Sequence, residues 1–201
     1  MKTSKIITAV ILLAAIVSQS CTKQYSRIEG TGTITTETLY LDDFTGIHME
    51  GADNVTITYG PEQIVEVTGH PNIISRIQTE VSNDTWHMEL ERGNYGEYEL
   101  SYHLTLPYIE EVSYDGSGNV TVSGSMETDY LEVSLMGSCS LFGFSLNARS
   151  CQVDITGSGN CEITASSSLD VSIDGSGSVF YKGSPTIEDH ISGSGRVVNS
   201  N

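Results

Sequence analysis

Asp154, Ser172 and His190 supply the three side-chain types of a hydrolytic triad at equal steps of 18 residues. A triad needs an imidazole beside the hydroxyl, a carboxylate behind the imidazole and donors for an oxyanion. Here all three fall in one outward row of successive strands, with no pocket or oxyanion site in view. The row is read as a coincidence of composition. A polysaccharide lyase or hydrolase would cluster carboxylates with Arg or Lys in a groove. From residue 111 onward the cations of that kind are Arg149, Lys182 and Arg196 alone. His48, His70, His87, His103 and His190 lack the close spacings of a zinc site. No metal, cofactor or catalytic residue is assigned, and the chain reads as a non-enzyme.

What positions these residues is a repeat. Asp115-Gly-Ser-Gly-Asn-Val120, Met136-Gly-Ser-Cys-Ser-Leu141, Thr156-Gly-Ser-Gly-Asn-Cys161, Asp174-Gly-Ser-Gly-Ser-Val179 and Ser192-Gly-Ser-Gly-Arg-Val197 are near-copies spaced 21, 20, 18 and 18 residues apart. A period near 20 is the mark of stacked coils. Apolar residues alternate with period two on both sides of each glycine turn, which reads as strand, corner, strand. Two before the first glycine stand Tyr114, Leu135, Ile155, Ile173 and Ile191; four before it stand Val112, Val133, Val153, Val171 and, as the exception, Asp189. The expected fold is all-β: a β-helix-like solenoid with coils of 18–21 residues over 111–198, preceded by a less regular strand-rich half over 31–110.

The corner glycines are assigned structural roles: Gly116 and Gly118, Gly137, Gly157 and Gly159, Gly175 and Gly177, Gly193 and Gly195. Glycine turns invite a phosphate loop, but Thr121 stands where a third glycine would open a helix, and a strand follows. Calcium between turns would need a periodic acid, whereas the residue before the first glycine varies among Asp115, Met136, Thr156, Asp174 and Ser192. Five before the glycine, Glu111, Glu132, Gln152, Asp170 and Glu188 predict an outward acidic ladder. That ladder serves solubility, or it collects a cation or a basic partner. Phe142 and Phe180 also point outward, either beneath another part of the chain or as a binding patch.

Cys139 replaces a second corner glycine, while Cys151 and Cys161 align with aliphatic residues and read as small buried hydrophobes. An odd number of cysteines after Cys21 argues against a full disulfide framework. In the first half, Gly32–Tyr40, Ile64–Gly69, Ile77–Val81, Thr85–Glu91 and Glu97–Leu106 are strand candidates, the last two joined as a hairpin that would set His87 opposite His103. Asn72–Ile77 suits one helical turn, and Met49-Glu-Gly-Ala-Asp-Asn-Val55 looks like a degenerate corner. Tyr98 and Tyr102 share an alternating face with Leu100, Leu104 and Leu106, as core residues would. Tyr95 lies in the loop and is the better ligand contact.

The N-terminus carries Lys2 and Lys5 before the apolar run Ile6–Val17, shorter than the roughly 20 residues of a membrane span. Residues 1–20 read as a lipoprotein signal, Cys21 as the lipidated residue and 21–30 as a linker, although Ser18 stands where such signals carry an aliphatic residue. Removing residues 1–20 takes two of the 9 basic residues and none of the 26 acidic ones, leaving a formal charge of −19. That charge excludes nucleic acid and anionic surfaces as partners, so membrane attachment is expected through the lipid.

Phe44-Thr-Gly-Ile-His-Met-Glu-Gly-Ala-Asp-Asn-Val-Thr-Ile57, Val65-Glu-Val-Thr-Gly69 and the serial glycine corners together resemble the putative auto-transporter adhesin, head GIN domain family, over about residues 40 to 198. The resemblance implies a β-helix-like fold in envelope lipoproteins and transfers no catalytic residue; Cys139 departs from its pattern. It also frames sidedness, because Thr22-Lys23-Gln24 lacks the early acids that accompany surface export in similar lipoproteins. The expected role is a non-enzymatic outer-membrane lipoprotein, on the surface or periplasmic side, acting as an adhesin-like or scaffold module for a protein or glycan. A glycan-binding accessory with Tyr95, Trp86 or outward aromatics as contacts is the alternative, and a carbohydrate-active enzyme the third.

Overall fold

The computed structural model describes residues 26–201; Cys21 and the signal lie outside the described residues. In chain order the strands are β1 (Arg27–Ile28), β2 (Thr35–Leu39), β3 (Gly46–Gly51), β4 (Asn54–Tyr59) and β5 (Ile64–Gly69). A single helical turn, α1 (Pro71–Ile74), leads to β6 (Val81–Ser82), β7 (Thr85–Met88), β8 (Asn94–Tyr95) and β9 (Leu100–Leu106). Then follow β10 (Glu111–Gly116), β11 (Asn119–Ser123), β12 (Met126–Gly137), β13 (Ser140–Gly157), β14 (Asn160–Gly175), β15 (Ser178–Lys182), β16 (Thr186–Gly193) and β17 (Arg196–Asn199). The protein is all-β, and its main sheet has 15 strands and curls.

Parallel pairing arranges that sheet in two columns. One runs β7–β3–β10–β12–β13–β14–β16. The other runs β9–β4–β11–β13–β14–β15–β17. Strands β13 and β14 belong to both, because each bends from one column into the other; register shifts near Gly143–Asn147 and Ala148–Ser150 accompany the bend.

Alternating burial explains the register. Trp86, Ile47, Val112, Val133, Val153 and Val171 form one buried row, and Tyr102, Val55, Val120, Leu141, Cys161 and Val179 another. A one-residue slip would turn an entire row to solvent, and each fully buried Val, Leu or Ile contributes about 1.5–3 kcal/mol relative to exposure. The degenerate corner behaves as one: Met49, Val55 and Ile57 fall at the inward offsets and are buried, and Gly51 pairs with Gly116.

The two glycines of a corner have different reasons. Gly157 (φ 126°) and Gly175 (φ 135°) occupy positive φ, where a side chain is strained. The second glycines have no positive φ, but a Cβ on Gly159 would overlap the Cys139 carbonyl oxygen. Cys139 itself is tolerated at that position because its Sγ turns into the interior, 3.3 Å from the Tyr114 and Met136 carbonyls.

The predicted hairpin does not form. β7 pairs with β3 and β6, whereas β9 pairs with β4 and β5, so the two lie in different columns. Trp86 and Met88 extend the row of Ile47 and Met49, while Tyr102 and Leu104 extend that of Val55 and Ile57; burying both sets requires those long-range partners. Residues 77–81 do not form the expected strand: Ile77 makes an isolated bridge to Leu90, and the strand begins at Val81. The helical turn starts one residue earlier than predicted, at Pro71.

Candidate functional site

The outward ladder is in register: Glu111, Glu132, Gln152, Asp170 and Glu188 pair in succession. With strands about 4.8 Å apart, like charges crowd each other, and local hydrogen bonds relieve part of this. Thr85 Oγ1 donates to Glu111 at 2.8 Å, and the Tyr130 hydroxyl donates to Gln152 at 3.2 Å. The row of Asp154, Ser172 and His190 is likewise in register. Ser172 and His190 are exposed, and Asp154 accepts from Gln152 Nε2 at 3.0 Å. Phe142 is 42% exposed and Phe180 half-buried, so the N-terminal half does not cover this row.

The expected facing of His87 and His103 is replaced, because their strands sit in different columns. His87 stacks beside His48 with ring centroids 5.4 Å apart, and His103 Nε2 lies 3.3 Å from Thr58 Oγ1. Trp86 cannot contact a ligand: it is fully buried and donates from Nε1 to the Gln78 carbonyl at 2.9 Å. Burial raises all three described thiols, Cys151 up to about 12, which keeps them protonated and inert. Among the described residues no group of His, Cys, Asp and Glu is arranged to hold a metal.

A cleft forms where the column of tight corners ends. Beyond Gly51 the next layer has no glycine corner; the segment Glu89–Glu99 crosses between β7 and β9 in its place. Asp53 stands where later coils carry the second glycine, and its carbonyl accepts the Tyr114 hydroxyl. Its carboxyl and the rings of Tyr95 and Tyr98 line a cleft of about 270 Å³, with Glu50, Glu91 and Arg92 also on its walls. The Tyr95 hydroxyl donates to the Glu91 carbonyl at 2.6 Å, and the two rings meet at 74° with centroids 6.1 Å apart. Burial pushes the Asp53 carboxyl up to about 6, opposed by hydrogen bonding from Tyr98. Burial, with the Asp53 charge beside them, also raises Tyr98, Tyr102 and Tyr114.

Tyr95 borders the cleft from the short strand β8, paired with β1, and not from a loop as expected, and Tyr98 packs against the core as expected while also lining the cleft; Asp53 was not legible. The available signal was the carboxylate at a glycine position of the first corner. A larger, open groove of about 720 Å³ lies at the opposite bend, lined by Glu127, Asp129, Ala148, Arg149, Thr164 and Ser166 among others.

These features define an all-β protein whose parallel strands stack in register and whose surface carries two open clefts. Residues 43–141 and 114–185 match the family described as putative auto-transporter adhesin, head GIN domain, and the chain belongs to that family. Among solved structures, a putative adhesin from Bacteroides fragilis NCTC 9343 shares 20% identity at a TM-score of 0.58, covering 86% of this chain and 100% of that one. A putative adhesin from Parabacteroides merdae ATCC 43184 shares 15% at 0.49, over 88% and 100% of the two chains. A putative lipid binding protein from Parabacteroides distasonis ATCC 8503 shares 20% at 0.48, again over 88% and 100%. The Bacteroides fragilis likeness is one of fold. No curated protein sequence matches the chain.

Proposed function

We propose that the protein is a non-enzymatic, adhesin-like or scaffold module of the cell envelope, with its coils wound as a β-solenoid and its N-terminus anchored to the outer membrane through lipid on Cys21. The observation that carries the reading is the in-register stacking of the outward rows from Glu111 to Glu188 and from Ser113 to His190, which turns a short repeat into an extended, regular surface. Family membership supports it. Extended surfaces of stacked repeats suit recognition of a macromolecule better than enclosure of a small substrate. The test is antibody labelling of a tagged copy on intact and permeabilised cells, beside a Cys21→Ala variant. Labelling of intact cells, lost to the soluble fraction in the variant, supports a surface anchor. Signal only after permeabilisation ends the adhesin reading and leaves a periplasmic scaffold. A glycan-binding accessory role is the second reading, favoured by the exposed ring of Phe142; a glycan array on which Phe142→Ala binds as well as the parent chain removes it.

A further inference from the structure

Among the acids around the cleft, Asp53 and Glu89 belong to no ion pair; Glu89 accepts from Gln78 Nε2 at 3.4 Å, and Arg92 on the cleft wall pairs with none of them. Glu91 is 3.4 Å from Arg76, and Glu50 is 3.7 Å from His48 Nε2. No ion pair includes Asp53 among the described residues, and Tyr98 lines the same cleft beside it. An ionised carboxylate taken out of water and left unpaired is costly, and an incoming cation relieves that cost where a neutral ligand does not.

The rings beside it specify what kind of cation. Tyr95 and Tyr98 meet at 74°, so they make two walls of a corner rather than a flat platform for a sugar ring. Ring faces attract ammonium groups, most strongly when these shed part of their water. Both rings are held in place by packing against the core, and the Tyr95 hydroxyl also donates to the Glu91 carbonyl. A small hard metal ion has no ligand set here, since among the described residues no cluster of metal-binding side chains exists. The cleft of about 270 Å³ suits a head group or a single side chain. The formal charge of −17 favours a cationic ligand over an anionic one.

We propose that the cleft formed by Asp53, Tyr95 and Tyr98 binds an alkylammonium group, with the carboxylate opposing its charge and the two rings enclosing its alkyl shell. The inference is independent of whether the stack acts as an adhesin or a scaffold. The chemistry is shared by methylated ammonium head groups and by lysine side chains, and two probes separate them.

The test is saturation-transfer NMR on the full chain in about 0.15 M sodium chloride, where long-range attraction is largely screened. Tetramethylammonium and butylammonium chloride are the probes, and methyl glucoside is titrated in parallel. Saturable binding of either ammonium salt is expected, weakened about tenfold by Asp53→Asn and by Tyr98→Leu, a change of about 1.4 kcal/mol. Tighter tetramethylammonium points to methylated head groups, tighter butylammonium to lysine side chains. Glu132→Gln removes the same charge from the ladder and is expected to leave binding unchanged. Tyr95 and Tyr98 both pack on the core, so Tyr95→Leu provides a second ring deletion that keeps an apolar side chain, and circular dichroism confirms that each variant is folded. No saturable ammonium binding overturns the proposal, as does an Asp53→Asn variant that behaves like Glu132→Gln. Binding of methyl glucoside alone overturns it in favour of a sugar site.

Discussion

At one end of the parallel columns Trp86 lies fully buried, with Phe44 at 5.7 Å and Tyr102 at 5.8 Å between ring centroids. Antiparallel β5 and β2 extend the sheet beyond β9, β6 pairs with β7, and Ile73 and Ile74 of α1 are buried in the same core. At the other end β16 is exposed along its whole length, and Ile187 and Ile191, which continue buried rows, are 36% and 39% exposed. The first end is closed by packing. The second has its apolar row interrupted by Asp189, in register with Val171. A parallel sheet leaves an unpaired edge wherever it stops, and this molecule finishes one end with aromatic bulk and the other with charge.

The largest expected effect breaks the closed end. Trp86→Ala removes a fully buried indole and leaves the Gln78 carbonyl without its donor, at about 3–5 kcal/mol. Ile187→Ala at the open end is expected to cost under about 1 kcal/mol, because much of that side chain already meets water. Urea unfolding of both variants checks the contrast; similar midpoints for the two would show that the ends are equally packed.

The corners sharpen the same contrast. Gly157→Val strains a φ of 126° and drives a Cβ into the Gly137 carbonyl oxygen, with ordered coils on both sides. Gly193→Val meets the same obstacles at φ 120° against Gly175, but the exposed strand β16 can yield locally. We expect a loss of about 3 kcal/mol for the first and about 1 kcal/mol for the second, read from thermal melts. Equal losses would mean that the last coil is as rigid as the middle ones.

The middle of the stack was readable because its constraints are local and repeated. Positive φ selects glycine at Gly157 and Gly175, and a shared interior selects Val at 112, 133, 153 and 171, so the residue types record the register. The closed end was not readable in the same way. Alternation at Thr85–Met88 and Leu100–Leu106 states which side chains are buried but not which strand covers them; a nearby antiparallel partner and a distant parallel one leave the same pattern. The cleft was hidden for a related reason. Asp53 and Tyr98 are far apart in sequence and meet because a loop replaces a glycine corner, a juxtaposition that no local spacing encodes.

Asp189 tests whether charge guards the open end. A second copy pairing antiparallel to β16 about Asp189 would set Ile187 opposite Ile191 and the two Asp189 carboxylates opposite each other. Like charges at such a position are destabilising, and an inward-pointing charge is a known protection of sheet edges. Asp189→Val restores an Ile-Val-Ile row and is expected to strengthen self-association about tenfold, equivalent to about 1.4 kcal/mol, in sedimentation velocity over a concentration series. A variant that sediments as the parent does would place the protection elsewhere.

The smallest expected effect concerns the acid buried near the closed end. Asp53 is raised from 3.8 to about 6 by burial, so the folded chain holds its proton more tightly than the unfolded chain does. Its contribution to stability is therefore fully present below about pH 3.8 and is lost as pH rises through about 6. Asp53→Asn removes this dependence and keeps the backbone carbonyl that accepts the Tyr114 hydroxyl. The variant should be more stable than the parent at pH 7 by on the order of 1 kcal/mol, a figure reduced for the exposed part of the carboxylate, and the two should converge toward pH 4. Tyr98, Tyr102 and Tyr114 lie beside the group, and burial raises all three above the ordinary tyrosine range, so they stay protonated between pH 4 and pH 7 and add no slope there. Urea midpoints measured between pH 4 and pH 7 decide it. A difference that is flat with pH would mean that water reaches Asp53 freely, and the contrast between a closed end and an open one would then stop short of this corner.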